Sequence, residues 1–445
     1  MSKKTDLEYK EYYSYVADTV TKYSSFEIPK AKSSFQNIIQ ILISKKYISL
    51  TKDGFSNLLP NGIFLRNAIL EFVGLEMQKN DYLEYRFTSL FSVDRHDPKV
   101  KLINKFTNDM YKVNDKYFLK YASDPVIFDY FKNKKLNNKI KIYSPDYYYR
   151  VSTNSELKHL INPREFIMTD FHVFSDNKFS EYINASIMNK KILNSFVDNK
   201  ELYLNIDTNK IFYESNKDKI TKMLKALKLN AIINVTSIKT HYYSIQNQYI
   251  TNYYYGNKTQ FANLQYDEVN GERFNIKSTK SGNFLTIIHG TPIGRVEKIF
   301  AYIYGKAIEL SEINKTKPVI PNWLSPIICT LIPISKDKKI IRYCDKLSKI
   351  LIKNKIRNNI DQRDLPFRTK IKDAEQQWIP YIIMLGDHEL NNKNISVRDR
   401  LDNSTKINNL TKLIKIITKS IKNYPNMPQS TKRIEEYIKK GLSFE

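Results

Sequence analysis

Hydrophobic positions change rhythm along this chain, and the changes divide it into segments. Residues 262–267 alternate, which predicts a strand with Gln265 and Asp267 on one side. A polar turn follows, then a short apolar run (Phe284, Leu285, Ile287, Ile288) that ends in His289. Beyond Pro292 and Gly294 the spacing becomes three-and-four. Val296, Ile299, Phe300, Ile303, Tyr304, Ala307 and Ile308 predict a helix. A strand, a polar residue at its end and a helix with a basic first turn can hold a nucleotide. An ordinary buried strand-to-helix join has the same layout.

Elsewhere the pattern is read in the same way. Tyr12, Tyr15, Val16 and Val20, then Phe35, Ile38, Ile39 and Leu42, predict helix over much of residues 1–50. A loop at 54–62 leads into a helix predicted from Ile63 to about Met77. Over 84–150, short runs of Phe, Tyr and Ile between polar turns predict antiparallel strands with helical insertions. Residues 147–151 and 165–174 read as two strands around a polar loop with Asn154 and Asn162-Pro163. The Lys- and Tyr-rich stretch 190–255 predicts a helix near 216–228 with strands after it, an expected insertion in the sheet with no chemistry assigned. After Pro318 and Pro321 the composition shifts. Strand 326–334, helix 338–354, strand 356–361, helix 369–378 and strand 380–385 form a βαβαβ pattern with a mainly parallel or mixed sheet. A hairpin from 386–389 to 395–398, a basic helix at 407–423 and a short basic tail helix at 425–445 complete the reading.

Composition narrows the class. The chain has 445 residues, 41% of them apolar, enough for two or three domains with real cores. No run of 18 apolar residues occurs, and the first residues are too polar for a signal peptide. The two cysteines, Cys329 and Cys344, can build neither a disulfide framework nor a cysteine zinc cluster. A soluble cytoplasmic protein without a membrane partner is expected. The net charge of +26 suits a polyanionic partner, although an AT-rich genome would also supply many lysines.

Asn270-Gly271-Glu272-Arg273-Phe274, with Gln265 before it and His289 ahead of Gly294-Arg295-Val296-Glu297-Lys298, resembles the end of a threonyl-tRNA synthetase catalytic domain of archaeal type. The resemblance extends from about Gly54 to about Tyr424. It implies an α+β class II synthetase catalytic domain, an antiparallel sheet with flanking helices, over 1–320. An α/β anticodon-binding domain follows over 321–445. The three class II motifs fall near 54–77, 147–174 and 289–308. Pro60 takes the motif 1 position that implies a homodimer. The family's amino-terminal editing domain is expected to be absent, so serine mischarged onto tRNA would need a separate editing protein.

The resemblance also assigns residues. Arg150 takes the place of the arginine that grips the α-phosphate of ATP, and Phe166 that of the aromatic that stacks on adenine. Asp170 matches the carboxylate that holds the substrate ammonium, and Gln265 a pocket glutamine. His172 and His289 match two zinc ligands, and Asp124 stands where the family has a cysteine. Asp364, Glu389 and Arg398 stand at anticodon-reading positions; a carboxylate and a guanidinium suit unpaired base edges. Two departures fall in the ATP site. Lys298 replaces the motif 3 arginine, losing its planar fork, with Arg295 three residues earlier a candidate to compensate. Ser152 replaces a motif 2 glutamate. The implied activity is threonine–tRNA ligation with ATP, Mg²⁺ and a possible Zn²⁺, acting on threonine and tRNA. The alternative is a catalytically degenerate paralogue that binds tRNA or another RNA, or scaffolds a complex.

Overall fold

The computed structural model describes residues 9–16, 19–22, 35–52, 55–93, 97–100, 108, 110–137, 139–151, 160–176, 178–237, 241–254, 257–402 and 405–428. The chain forms two compact units. The first contains residues 1–34, 50–56 and 73–302, and the second 35–49, 57–72 and 303–445. The helices Pro60–Gln78 and Val296–Asn314 are each divided between them.

The first unit is built on a ten-stranded sheet. Its order is Thr19–Lys22, Tyr9–Val16, Ala231–Thr236, Tyr203–Asn209, Tyr243–Tyr254, Asn257–Asp267, Thr286–Thr291, Glu165–Ser175, Ile140–Tyr149 and Leu83–Glu84. All pairings are antiparallel except two, Tyr203–Asn209 with Ala231–Thr236 and Leu83–Glu84 with the strand at 140–149. The hairpin Ile140–Tyr149/Glu165–Ser175 pairs over ten consecutive positions without a bulge. One sheet face is covered by the helix Lys178–Leu193, whose Tyr182 hydroxyl donates to the Leu264 carbonyl at 3.3 Å. On the other face the helix Asp124–Phe131 packs Ile127, Phe128 and Phe131 against Ile142, Phe174, Phe274 and Ile287. Burying each of these side chains is worth about 1.5–3 kcal/mol.

Two expectations change here. Residues 9–16 and 19–22 are strands, not helix, because they pair with each other and with Ala231–Thr236, contacts that outweigh local spacing. Helix is kept at Phe35–Ser44. The stretch 190–255 forms part of the sheet itself, with the helix Lys210–Leu227 beside its strands, rather than an insertion in it.

The second unit has a five-stranded sheet ordered Asn358–Ile360, Cys329–Pro333, Tyr381–Leu385, Ile395–Asp399 and Thr405–Asn408. Its first two pairings are parallel and its last two antiparallel. Helices Lys338–Lys353 and Leu410–Ile421 bury Ile340, Cys344, Leu347, Leu351, Leu413 and Ile417 in its core. The helix Phe367–Gln376 contributes Ala374 to a second cluster with Ile332 and Ile382. The βαβαβ order is as predicted. Residues 387–392 are a short helix rather than a hairpin arm, and the hairpin is made by the strands Ile395–Asp399 and Thr405–Asn408. Most of the expected tail helix at 425–445 lies outside the described residues. Among the described residues no helix is long and apolar enough to cross a membrane.

Candidate active site

The site follows from strand register. Gln246, Gln265, His289, His172 and Ile142 stand side by side in one row across five neighbouring strands. Side chains alternate along a strand, so the face that carries His172 also carries Asp170, Met168 and Phe166. Across the hairpin, Ser144, Asp146 and Tyr148 share it. The spacing Asp170-x-His172 is what two-residue periodicity requires for both groups to act in one place.

Asp124 joins this row from the helix Asp124–Phe131, of which it is the first residue. Its Oδ1 lies 2.9 Å from His172 Nε2 and 2.9 Å from His289 Nδ1. The two imidazole rings stack at 4.4 Å with 9° between their planes. Tyr242 donates its hydroxyl to Asp124 Oδ2 at 3.0 Å and also lies 2.9 Å from Gln265 Oε1. Asp170 Oδ2 accepts from Ser123 Oγ at 2.7 Å and sits 3.8 Å from His289 Nε2. Burial pushes the Asp124 carboxyl up, but His289 and His172 outweigh it and hold the group below the usual carboxylate range. Burial lowers His172, with His289 adding to the effect. Burial also works against charge on His289, yet Asp124 and Asp170 raise it to about 10.

Asp124, His172 and His289 offer three buried ligand atoms within 4.8 Å of one another. His172 Nδ1 and Asp170 Oδ1 are buried without a hydrogen-bond partner. Two nitrogens and a carboxylate oxygen are a donor set that suits zinc, and the harder oxygen also admits other divalent ions.

A second cluster lies farther along the hairpin. The Phe166 ring has no exposed surface. The Arg295 guanidinium lies 4.2 Å above the ring centroid and that of Arg150 at 5.4 Å. Arg295 donates to the Ile161 carbonyl and to Asn162 Oδ1, both at 2.8 Å, and Arg150 Nε donates to the Tyr121 carbonyl at 3.1 Å. Lys298 Nζ donates to the Gln260 carbonyl at 3.0 Å. Burial, then the like charges of Arg295 and Arg150, pull Lys298 down to about 7. Burial and Arg150 pull Arg295 down to about 9. Gly294 makes this arrangement possible. It sits at φ +66°, and a Cβ there would come within 2.0 Å of the Phe261 carbonyl oxygen. Ser152 lies outside the described residues.

The three residues expected at the anticodon are engaged with different partners. Glu389 is buried, its Oε2 accepting from Gly386 N at 2.9 Å and its Oε1 from Ser396 Oγ at 2.8 Å. Arg398 pairs with Glu375 at 2.7 Å, and exposed Asp364 with Lys336 at 2.6 Å. Pro60 is exposed and opens the helix Pro60–Gln78.

Sequence reading missed Tyr242 and Ser123, which orient Gln265, Asp124 and Asp170, and the buried pair Lys120–Asp146 at 2.8 Å. A tyrosine among 32 gives no signal of its own. Asp267, on the Gln265 face, is a structural cap. It accepts from Val269 N and Asn270 N, and burial raises it to about 6 despite those bonds.

Comparison with known proteins places this geometry in context. A family model described as an anticodon binding domain matches residues 329–420. The chain is 32% identical over 290 residues to a threonine–tRNA ligase of Nanoarchaeum equitans, covering 63% of this chain and 44% of that one. It is 26% identical over 381 residues to the threonine–tRNA ligase of Staphylothermus marinus, covering 83% and 61%. The chain thus spans roughly half the length of these relatives. Among solved structures it is similar to one titled as the RNA binding domain of threonyl-tRNA synthetase from Cryptosporidium parvum. That match has a TM-score of 0.70 and 18% identity, covering 86% of this chain and 98% of that one, a likeness of fold.

Proposed function

We propose that the chain is a class II aminoacyl-tRNA synthetase and, within that family, a threonine–tRNA ligase. It activates threonine with ATP and transfers it to tRNA. The observation that carries this reading is the buried row His172–His289, bridged by Asp124, with Gln265 and Asp170 beside it.

At the amino-acid end, Asp170 receives the substrate ammonium on Oδ1, since Ser123 holds its other oxygen. Gln265, its carbonyl engaged by Tyr242, keeps its amide for the substrate. Asp124, His172 and His289 would hold a zinc ion, which when bound would supply Lewis acidity toward the polar groups of threonine. Valine lacks that hydroxyl, and a site built around a polar contact rejects an analogue without it far better than an apolar pocket can. At the nucleotide end, Arg150 stabilises charge on the α-phosphate while the threonine carboxylate attacks it and pyrophosphate leaves. A terminal ribose hydroxyl of tRNA then attacks the acyl carbon, and AMP leaves. No covalent enzyme intermediate forms, so the chain contributes position and charge. Mg²⁺ accompanies ATP and offsets phosphate charge. Arg295 stands in for the guanidinium that Lys298 lacks. By the same resemblance the protein is a cytoplasmic homodimer, and Asp364, Glu389 and Arg398 meet the anticodon.

Phe166 gives specific support to a second reading, a degenerate paralogue that binds tRNA without activating an amino acid. Its ring is buried beneath Arg295, so adenine can stack there only if that guanidinium yields. Threonine-dependent ATP–pyrophosphate exchange, with zinc supplied and with valine and serine as comparison substrates, separates the two. Exchange with threonine and little with valine supports the ligase. No exchange from protein that still binds tRNA replaces it with the second reading.

A further inference from the structure

The second unit contains a cleft of about 450 Å³ that none of the site residues above lines. Five cations stand around it: Lys355, Arg357, Lys415, Lys419 and Lys422. Its lining includes no carboxylate, and none of the five is in a salt bridge among the described residues. Arg357 is buried, and its guanidinium donates to the carbonyls of Asn322, Trp323 and Ser325, which supply dipoles but no countercharge. Burial alone pulls it down to about 10. Lys415 and Lys419 are exposed on the helix Leu410–Ile421, whose Leu413 and Ile417 turn inward to the core, and exposed Lys422 follows at its C-cap, so the three are spaced four and three apart. They form one ridge, with about 10 Å of helix axis between the first and the last.

Two helices end at the cleft, Lys338–Lys353 and Leu410–Ile421. Each C-terminus presents roughly half a negative charge, so together they offset about one of the five cations. Among the described residues the remainder is an uncompensated positive field inside a concave wall, with the Tyr424 hydroxyl as a further hydrogen-bond donor. Compact positive charge on flexible stems suits phosphate, and a ridge of this length serves several phosphates in a row better than one.

We propose that this cleft is a sequence-independent phosphate site that grips the backbone of the RNA held by this unit. The identity of the RNA as tRNA rests on the ligase reading; the phosphate chemistry does not. Asp364, Glu389 and Arg398 are absent from the lining, so backbone grip and base reading fall on separate residues.

The test uses the full chain carrying Lys415→Gln, Lys419→Gln and Lys422→Gln together. All three side chains are exposed, and an unchanged thermal midpoint verifies the fold. Binding of a threonine tRNA transcript and of one with an altered anticodon is measured across a salt series. Each lost phosphate contact lowers the slope of log affinity against log salt by about one, so the triple variant loses about two to three from the slope for both transcripts alike. An unchanged slope overturns the proposal, as does a loss confined to the threonine transcript. Inorganic tripolyphosphate serves as the small-anion arm. If it stabilises the wild-type protein at micromolar concentration while the RNA slope is unaffected by the substitutions, the cleft holds free polyphosphate and the RNA form of the proposal is wrong. Failure of pyrophosphate exchange leaves this test intact, because the slope needs no aminoacylation.

Discussion

Replacing Asp124 with asparagine keeps the side-chain volume and removes one charge from the centre of the buried row. That charge lies 2.9 Å from both imidazoles, and its second oxygen accepts from Tyr242. Removing one member of a buried, hydrogen-bonded charge pair costs about 3–5 kcal/mol, because the partner is left uncompensated. At about 2–4 °C per kcal/mol for a domain of this size, chelator-treated Asp124→Asn protein melts on the order of 10 °C below wild type. Metal adds a second, separable effect. A ligand present at 100 times its dissociation constant stabilises the folded state by about 2.7 kcal/mol. Zinc is therefore expected to raise the wild-type transition by several degrees and to leave that of Asp124→Asn nearly unmoved. Asp124→Cys, which keeps an anionic ligand, should retain the zinc response. The assay is scanning calorimetry of the transition that zinc moves, with and without chelator. Equal midpoints for wild type and Asp124→Asn, together with equal zinc responses, would refute the assignment of this carboxylate as the bridge and as a ligand.

Other outcomes follow from the same geometry. Lys298 is held near 7 in the folded chain against an ordinary lysine value of 10.5. Below pH 7 it is charged in both states and the full burial penalty, on the order of a few kcal/mol, weakens the fold. Between pH 7 and 10.5 the unfolded chain binds the extra proton, so stability rises with pH. Lys298→Met should thus be more stable than wild type at pH 6.5, and denaturation curves should show the gap closing by pH 10. Arg295→Ala removes a guanidinium stacked on Phe166 and two hydrogen bonds, and should lower kcat/KM for ATP about 100-fold if it stands in for the motif 3 arginine. Arg295→Lys should recover little of that loss, and an unchanged ATP dependence in either variant counts against the role. Glu389→Gln should lower the thermal midpoint by a few degrees, since it weakens bonds to Gly386 and Ser396; tRNA affinity measured alongside separates support of the helix from base reading.

How much was legible depends on whether local spacing or distant pairing decides an element. Alternation placed Gln265 on a defined strand face, whereas His172 and His289 were assigned through the resemblance; strand register brings the three into one row. Asp124 depended on resemblance, since nothing in Ser123-Asp124-Pro125 beyond a helix start signals a ligand. Residues 9–16 were misread because Tyr12, Tyr15 and Val16 fit helical spacing as well as a strand, and the partner that settles the matter, Ala231–Thr236, is remote in sequence. Residues 386–389 were read as one arm of a hairpin. The Glu389 carboxylate folding back onto Gly386 N makes it a helix start, a bond that single-residue preferences do not show. Arg295 was read only as a candidate to compensate for Lys298, with no partner assigned. Its position over Phe166 depends on the left-handed Gly294 and on acceptors at Ile161 and Asn162.

The three candidate ligand positions, 124, 172 and 289, differ in how freely they can change. His172 and His289 are locked to each other by strand pairing, and a one-residue insertion in either strand would turn its imidazole to the opposite face and break the row. Residue 124 belongs to a different element, the first turn of a short helix beside a proline, and no register ties it to the sheet. Chemical novelty at this site therefore has one cheap entrance. An anionic replacement such as a thiolate can be tried at position 124 with only local repacking, and the cation preferred by the pocket can drift while the architecture that aligns the histidines stays fixed.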